Sequence, residues 1–350
     1  MLIFIGNRRL QRRHQVMAIS STITTDRRRL SQGAAPLEPQ IPAIHIENLC
    51  KSYGSAPVLD GLNLDVGQGE FYALMGPNGS GKSTLSGIIA SVVRYDSGTV
   101  QVLGTEPARA RKFFGYVPQD NFSLPLLTGR ENLIYFAGVL GYSGREAREM
   151  ADRLLDKVGL AAEGNKRASN YSGGMRKRLE VATALFPGIK LLILDEPTTG
   201  LDPAARRDFF DLVKGAVDGG TSILLITHLG SDADLADKVG LIYKGKIVAE
   251  DSPGVLKRTY ATIDVITIET SYRSDQVTRV LEGYSTEGKL AETPSGYHIY
   301  ARNGAERVPE IIRSLDSAGF SEKRIEVSTA SLEDVFFKLT EHPMHEASSQ

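Results

Sequence analysis

One cysteine, Cys50, stands in 350 residues, so the chain can close no internal disulfide. That excludes a disulfide scaffold and a cysteine-rich metal site, and it fits a reducing compartment. Long apolar runs are missing as well. No window approaches the ~20 apolar residues that span a bilayer, and the runs Leu191–Leu194 and Ile223–Ile226 have the length of a strand. If the protein works at a membrane, another chain must supply the membrane part. Charge of one sign is also lacking, because 41 Lys plus Arg face 42 Asp plus Glu for a formal net charge of -1. A chain so balanced lacks the broad positive field of a dedicated nucleic-acid binder, and no nucleic-acid partner is expected.

What is present suits a folded protein. Hydrophobic residues make up 41% and charged residues 24%, enough for a sizeable core, and 350 residues suggest two or three structural units. The positive charge is uneven. Residues 1–40 carry Arg8, Arg9, Arg12, Arg13, Arg27, Arg28 and Arg29 against Asp26 and Glu38, a local balance of +5. Residues 1–42 read as a basic, disordered extension. A transit peptide, a lipid-attracted arm, or translation starting at Met17 are the alternatives.

Ordered sequence begins near Ala43. His45–Leu49, Val58–Val66, Phe71–Met75, Thr99–Leu103 and Phe113–Val117 read as strands, Thr84–Val93 as a helix and Ser97-Gly98 as a turn. From Thr128 to Leu160 the spacing becomes helical, with Leu133, Phe136, Ala137 and Leu140 on one face. Lys190–Leu194 and Ser222–Ile226 return to the unbroken apolar runs of buried parallel strands. Strands alternating with helices predict an α/β fold. Beyond Tyr260 the order becomes strand, helix, two strands around Pro294-Ser295-Gly296, helix, strand and a last helix over Ser331–Leu339, capped by Ser331 with Asp334 three residues on. That is a small βαββαβ unit with a terminal helix.

Gly76-Pro77-Asn78-Gly79-Ser80-Gly81-Lys82-Ser83, with Thr84 next, fits G-x-x-x-x-G-K-[ST] between an apolar strand and a helix. The glycines let successive N–H groups curl around phosphate oxygens, and the helix adds its positive end. Lys82 would neutralise β/γ-phosphate charge and Ser83 would ligate Mg²⁺. Leu191–Leu194 runs into Asp195 and Glu196. At the carboxyl end of a buried strand, Asp195 would hold Mg²⁺ and Glu196 would orient the water that attacks a γ-phosphate.

With these two motifs in place, the chain resembles the nucleotide-binding subunit of an ABC transporter, and further segments occur in that family's order. Ser172-Gly173-Gly174-Met175 is similar to its signature loop, although Met175 departs from the more frequent Gln. Gln119 resembles the Q-loop glutamine, His228 the switch histidine, Asp202 the D-loop aspartate and Tyr53 the adenine-stacking aromatic. The resemblance covers roughly residues 44–255, and Ser331-Leu332-Glu333-Asp334-Val335-Phe336 is similar to a segment near the end of ABC-2 and multidrug-type subunits.

The resemblance implies a P-loop NTPase fold: a RecA-like core with an antiparallel β subdomain and a helical insertion. The ATPase domain would occupy residues 43–255, with the insertion at about 120–175, and an α+β accessory domain residues 260–341. It implies ATP and Mg²⁺ as cofactors, the latter held by Ser83, Gln119 and Asp195. Glu196, His228 and Gln119 become the hydrolytic residues. Ser172, Gly173, Gly174 and Asp202 would serve ATP across a dimer seam. It also implies a second ATPase subunit, identical or related, an integral-membrane permease of the ABC-2 type, and a place at the cytoplasmic face of the membrane. A soluble ABC ATPase of translation or DNA repair is the competing expectation, which the lone phosphate loop and the lack of a long heptad run disfavour.

Overall fold

The computed structural model describes residues 41–260, 264–270, 275–286, 290–293, 296–318, 324–328 and 330–340. The expectations attached to residues 1–40 and to Pro294-Ser295 lie outside them. The chain divides into two compact units, Phe122–Pro187 and a larger one formed by Pro42–Asn121 with the chain from Gly188 onward.

The larger unit starts with β1 (Ile44–Tyr53) and β2 (Ala56–Val66), an antiparallel pair. The chain then runs through β3 (Phe71–Met75) and α1 (Lys82–Ile89), and β4 (Ser97–Val102) returns to the free side of β1. Two expected boundaries move. Helix α1 starts at Lys82 rather than Thr84, because Gly81 takes φ 106° and acts as its N-cap. It stops at Ile89 rather than near Val93, where Ser91 turns left-handed at φ 59°. Ser97-Gly98 is no turn but the opening of β4. Gly98 passes so close to β1 that a Cβ would lie 2.6 Å from the Asn48 carbonyl oxygen.

After α2 (Pro107–Ala110), β5 (Phe114–Val117), β6 (Leu191–Asp195), β7 (Ser222–Thr227) and β8 (Lys238–Tyr243) join β3 in a parallel sheet ordered β5-β6-β7-β3-β8. β9 (Lys246–Asp251) adds antiparallel at the edge. Every residue of β3, β6 and β7 is buried. A strand without a solvent face needs an unbroken apolar run, which is why these three are legible as such. Leu62, Leu74, Leu85, Ile88, Ile193 and Leu224 share one core, so both sheets and α1 pack as a single body. A buried side chain of this size stabilises by about 1.5–3 kcal/mol.

Strand register sets the level of the loops. Met75 lies opposite Thr227, Asp195 opposite Ile226 and Val117 opposite Leu194, so β3, β7, β6 and β5 finish side by side. Open parallel sheets bind ligands at this carboxyl edge. Helices α6 (Pro203–Asp218), α7 (Gly230–Ala233) and α8 (Pro253–Tyr260) complete this part.

The following segment forms β10 (Asp264–Glu269), α9 (Asp275–Glu282), β11 (Leu290–Thr293), β12 (Gly296–Ala301), α10 (Gly304–Ser317) and β13 (Arg324–Ser328). Its antiparallel sheet, ordered β11-β12-β10-β13, has its own core of Ile266, Ile268, Leu281, Tyr297, Ile299 and Leu315. This is the expected βαββαβ arrangement. The last helix, α11 (Leu332–Thr340), starts as expected, with Ser331 and Asp334 exchanging side-chain and backbone hydrogen bonds of 2.8 and 3.1 Å. It does not stay with the small sheet, however. It lies against α8 and α7, and its Phe336 ring meets Tyr243 of β8 edge-on at 5.8 Å.

The smaller unit is helical: α3 (Gly129–Val139), α4 (Gly144–Lys157) and α5 (Gly173–Ala184). It runs to Pro187, beyond the limit near residue 175 read from the sequence, because α5 packs on α3 and α4. Thr128 with Glu131 and Ser143 with Glu146 form capping boxes at the first two helices. Asn132 is fully buried. It accepts from Leu124 N (2.7 Å) and donates to the carbonyls of Leu124 (3.0 Å) and Thr128 (2.9 Å), closing the segment that leads into α3. Asn132→Ala strands these backbone groups and is expected to cost this unit about 2–3 kcal/mol. Hydrogen exchange of α3 amides should speed up accordingly while β3 and β7 keep their protection; unchanged α3 protection would refute the role.

Candidate functional site

The phosphate-type loop follows β3 directly. Gly76 is wedged where a Cβ would lie 2.3 Å from the Ile242 carbonyl oxygen, and at Gly81 (φ 106°) a Cβ would meet Leu59 at 2.8 Å. No larger residue fits either place. Asn78 and Gly79 are exposed at the loop tip, and Ser80 Oγ is buried with no hydrogen-bond partner among the described residues. Gly81 gives α1 no side-chain cap and its first turn holds no acid, so its N–H groups and positive end remain available to an anion. Ser83 and Thr84 sit in that first turn, Ser83 exposed.

Lys82 is buried and donates to the carbonyls of Gly76 (2.8 Å) and Pro77 (2.9 Å). Burial lowers its pKa, against the opposing pull of Glu196 and Asp195. Asp195 closes β6 at 2% exposure. Its Oδ2 accepts from Ser86 (2.8 Å) and Tyr116 (3.5 Å), while Oδ1 is buried with no partner among the described residues. Burial raises its pKa, and neighbouring Glu196 adds to the rise against the hydrogen bonds from Ser86 and Tyr116 and the charge of Lys82.

Glu196 is 8% exposed and gathers the rest. Its Oε2 accepts from Gln119 Nε2 at 3.1 Å and lies 3.3 Å from His228 Nδ1, in ion-pair range without hydrogen-bond alignment. Its Oε1 lies 3.9 Å from Lys82 Nζ. Glu196 also holds φ 45°, a left-handed backbone that costs a non-glycine residue about 1–3 kcal/mol and clusters at functional sites. Gln119 follows β5, His228 follows β7 and Lys82 follows β3, so the level strand ends bring together residues that the sequence spreads from position 82 to position 228.

The remaining candidates stand on other elements. Tyr53, at the end of β1, is 54% exposed with Lys51 Nζ 5.2 Å above one face of its ring. Asp202 caps α6, accepting from Ala204 N (2.9 Å) and Ala205 N (3.0 Å), bonds that hold its carboxyl below the usual range. In the helical unit, Ser172 caps α5 by accepting from Met175 N at 3.2 Å, and Ser172 and Gly173 are exposed at that helix start.

Several supporting residues carry no motif and were missed. Ser86 and Tyr116 hold Asp195. Asp232, fully buried, accepts from Thr198 Oγ1 and from Arg206 Nε, tying the segment after Glu196 to α6 and α7. In the helical unit the fully buried Glu180 of α5 accepts from Phe122 N (3.2 Å), Ser123 N (3.4 Å) and Ser123 Oγ (3.0 Å). Only their acid or hydroxyl character marks them in the sequence, and that is shared with many surface residues.

The oxygen donors fit a hard divalent ion. Asp195 Oδ1 is a buried acceptor without a partner, and no cluster of three or more His, Cys, Asp or Glu side chains is placed for a metal among the described residues. An ion here would complete its shell with water or ligand oxygens, as Mg²⁺ does when bound through one or two carboxylates. The buried charge has a stability consequence. With its pKa raised in the fold, Asp195 opposes folding above that raised value, and the opposition vanishes once pH falls below the ordinary carboxylate range. Asp195→Asn should therefore raise the thermal midpoint of the nucleotide-free protein at neutral pH, with the gain shrinking as pH falls toward 4. A lower midpoint at neutral pH would refute this.

Residues 59–199 match the family described as ABC transporter. Over 307 residues the chain is 36% identical to the daunorubicin resistance ATP-binding protein DrrA2 of Streptomyces coeruleorubidus, covering 86% of this chain and 95% of that one. It is 37% identical over 307 residues to the Nod factor export ATP-binding protein I of Sinorhizobium fredii, covering 86% and 87%. Among solved structures, an ATP-binding cassette captured as a dimer in a post-hydrolysis state with ADP and Pi aligns at TM-score 0.55 and 26% identity, over 60% of this chain and 98% of that one. CbiO1 of Clostridium perfringens, part of an ABC transporter complex, aligns at TM-score 0.57 and 26% identity, over 63% and 91%. The chain belongs to the ABC transporter family as one of its ATP-binding, ATP-hydrolysing subunits.

Proposed function

We propose that this chain is the motor subunit of an exporter. Two such subunits close around two ATP molecules and drive a separate permease of the ABC-2 type from the cytoplasmic face of the membrane. Among the described residues no helix is long and apolar enough to cross a membrane, so the described part supplies no membrane-spanning helix of its own. The named relatives serve drug resistance and Nod factor export, which favours export over a soluble role in translation or DNA repair.

The observation that carries the chemistry is the set of groups around Glu196: Gln119 at 3.1 Å, His228 at 3.3 Å and Lys82 at 3.9 Å. A carboxylate so placed orients water for in-line attack on the γ-phosphorus. The bond to the bridging oxygen then breaks, and ADP leaves with that electron pair. Lys82 turns from its two loop carbonyls to the β- and γ-phosphates, and His228 supports both Glu196 and the γ-phosphate. Ser83, Gln119 and Asp195 would hold Mg²⁺, which supplies charge neutralisation when bound. Tyr53 stacks on the adenine. Ser172, Gly173, Gly174 and Asp202 serve the ATP held by the partner subunit, where the exposed start of α5 meets phosphate.

Glu196→Gln should cut phosphate release to about 1% or less, on the scale of removing a group that acts in the transition state, while ATP still binds and a dimer accumulates on gel filtration. Lys82→Ala should instead weaken ATP binding about ten-fold or more, as the loss of a charged phosphate contact. Unimpaired hydrolysis by Glu196→Gln would remove Glu196 from the mechanism.

A further inference from the structure

Gly230 opens α7, two residues after His228, and it does not take a left-handed backbone. No conformational demand explains a glycine there; space does. A Cβ on Gly230 would lie 2.1 Å from Oε2 of Glu333, whose Oε1 accepts the Gly230 N–H at 2.6 Å. Glu333 comes from α11, over a hundred residues on, beyond the whole β10–β13 sheet. The carboxylate thus fills the place of a missing side chain on the loop that carries His228.

The surroundings make this a clamp. Leu332, Val335 and Phe336 bury the face of α11 that lies on α7 and α8. From α8, Lys257 Nζ reaches Asp234 Oδ1, just past α7, at 2.6 Å. Asp232 is held from beneath by Thr198 and Arg206. Both ends of the segment that contains the small sheet are therefore fastened to the α7 region, one by Lys257 and one by Glu333.

We propose that Glu333 is a positioning residue for ATP hydrolysis: through the Gly230 N–H it sets the loop that places His228 beside Glu196, and so makes turnover depend on the docking of α11 against α7 and α8. This rests on the roles given above to His228 and Glu196. In this role Glu333 acts through the Gly230 N–H alone, not on ATP or the attacking water, so its loss should act on the chemical step and leave nucleotide binding alone.

The test is steady-state phosphate release by the full chain. Glu333→Ala is expected to lower kcat about ten-fold, as a small misplacement of a catalytic group does, with KM for ATP within about two-fold of the parent. Glu333→Gln, whose amide oxygen can accept the same N–H, should keep kcat within about two-fold. Gly230→Ala should lose turnover as Glu333→Ala does, and the double variant should be no worse than the poorer single one, since both remove one contact. An unaltered kcat in Glu333→Ala, a loss confined to KM, or losses that multiply in the double variant would each overturn the proposal. Should Glu333→Ala not fold, Gly230→Ala with parental kcat would do so as well. Glu196→Gln and His228→Ala measured alongside separate the two levels. Turnover retained by those variants would sink the site reading itself, whereas turnover lost there but kept in the Glu333 and Gly230 series would sink only this inference.

Discussion

A carboxylate at the end of an apolar strand, nearly closed off from water, has to find its partners within the protein. Glu196 finds them in loops that follow three other strands: Gln119 after β5, His228 after β7 and Lys82 after β3. None of these could reach it if the strands ended at different heights. The pairings Met75–Thr227, Asp195–Ile226 and Val117–Leu194 are thus a constraint on chemistry as much as on folding. A slip of one residue in a parallel strand would move each side chain to the opposite face of the sheet and shift its loop out of the group.

The site opposes the stability of the fold that carries it. Asp195 Oδ1 and Ser80 Oγ are buried without partners among the described residues, Lys82 is buried with its pKa lowered by that burial, and Glu196 sits in a left-handed backbone. Each is unfavourable before a ligand arrives. The apolar strands β3, β6 and β7 and the core they share with α1 offset these terms, so the most buried part of the sheet lies directly behind its least satisfied edge. A triphosphate and a divalent ion would meet the same unpaired groups, which is the sense in which binding and stability are linked.

Legibility in the sequence followed locality. The phosphate-type loop, the Asp195-Glu196 strand end and the Ser331 cap are each fixed by neighbours within a few residues, and the structure places them as read. The β8–β9 hairpin has no counterpart in the sequence reading, although Lys244-Gly245, both with positive φ, marks its turn. Helix α6 was missed despite an Asp202 cap followed by Pro203, a start signal the motif reading passed over. Other features had no local signal at all. Asp232, Arg206, Ser86 and Glu180 matter through partners tens of residues away, and nothing in Leu332–Phe336 tells that α11 leaves the small sheet to lie on α7 and α8. Spacing reveals which face of an element is apolar, not which surface it will cover.

The helical unit shows how a ligand's charge could become movement. The chain leaves Gln119 and enters this unit three residues later, where Phe122 and Ser123 are gripped by the buried Glu180. Glu180 lies on α5, the helix whose exposed start carries Ser172 and Gly173. The segment after the glutamine and the helix end proposed to face a partner's phosphate are therefore one rigid piece. A helix terminus attracts an anion only within its first turn, by about 0.3–1 kcal/mol when exposed and up to about 2 kcal/mol when partly buried. Under the proposed dimer, the loss of one phosphate charge would be felt at α5 over a short range. A displacement of α5 in that dimer would carry Phe122 and Ser123 with it through Glu180. Under the proposed dimer, hydrolysis in one site and release of the helical unit are the same event seen from two ends of one tether.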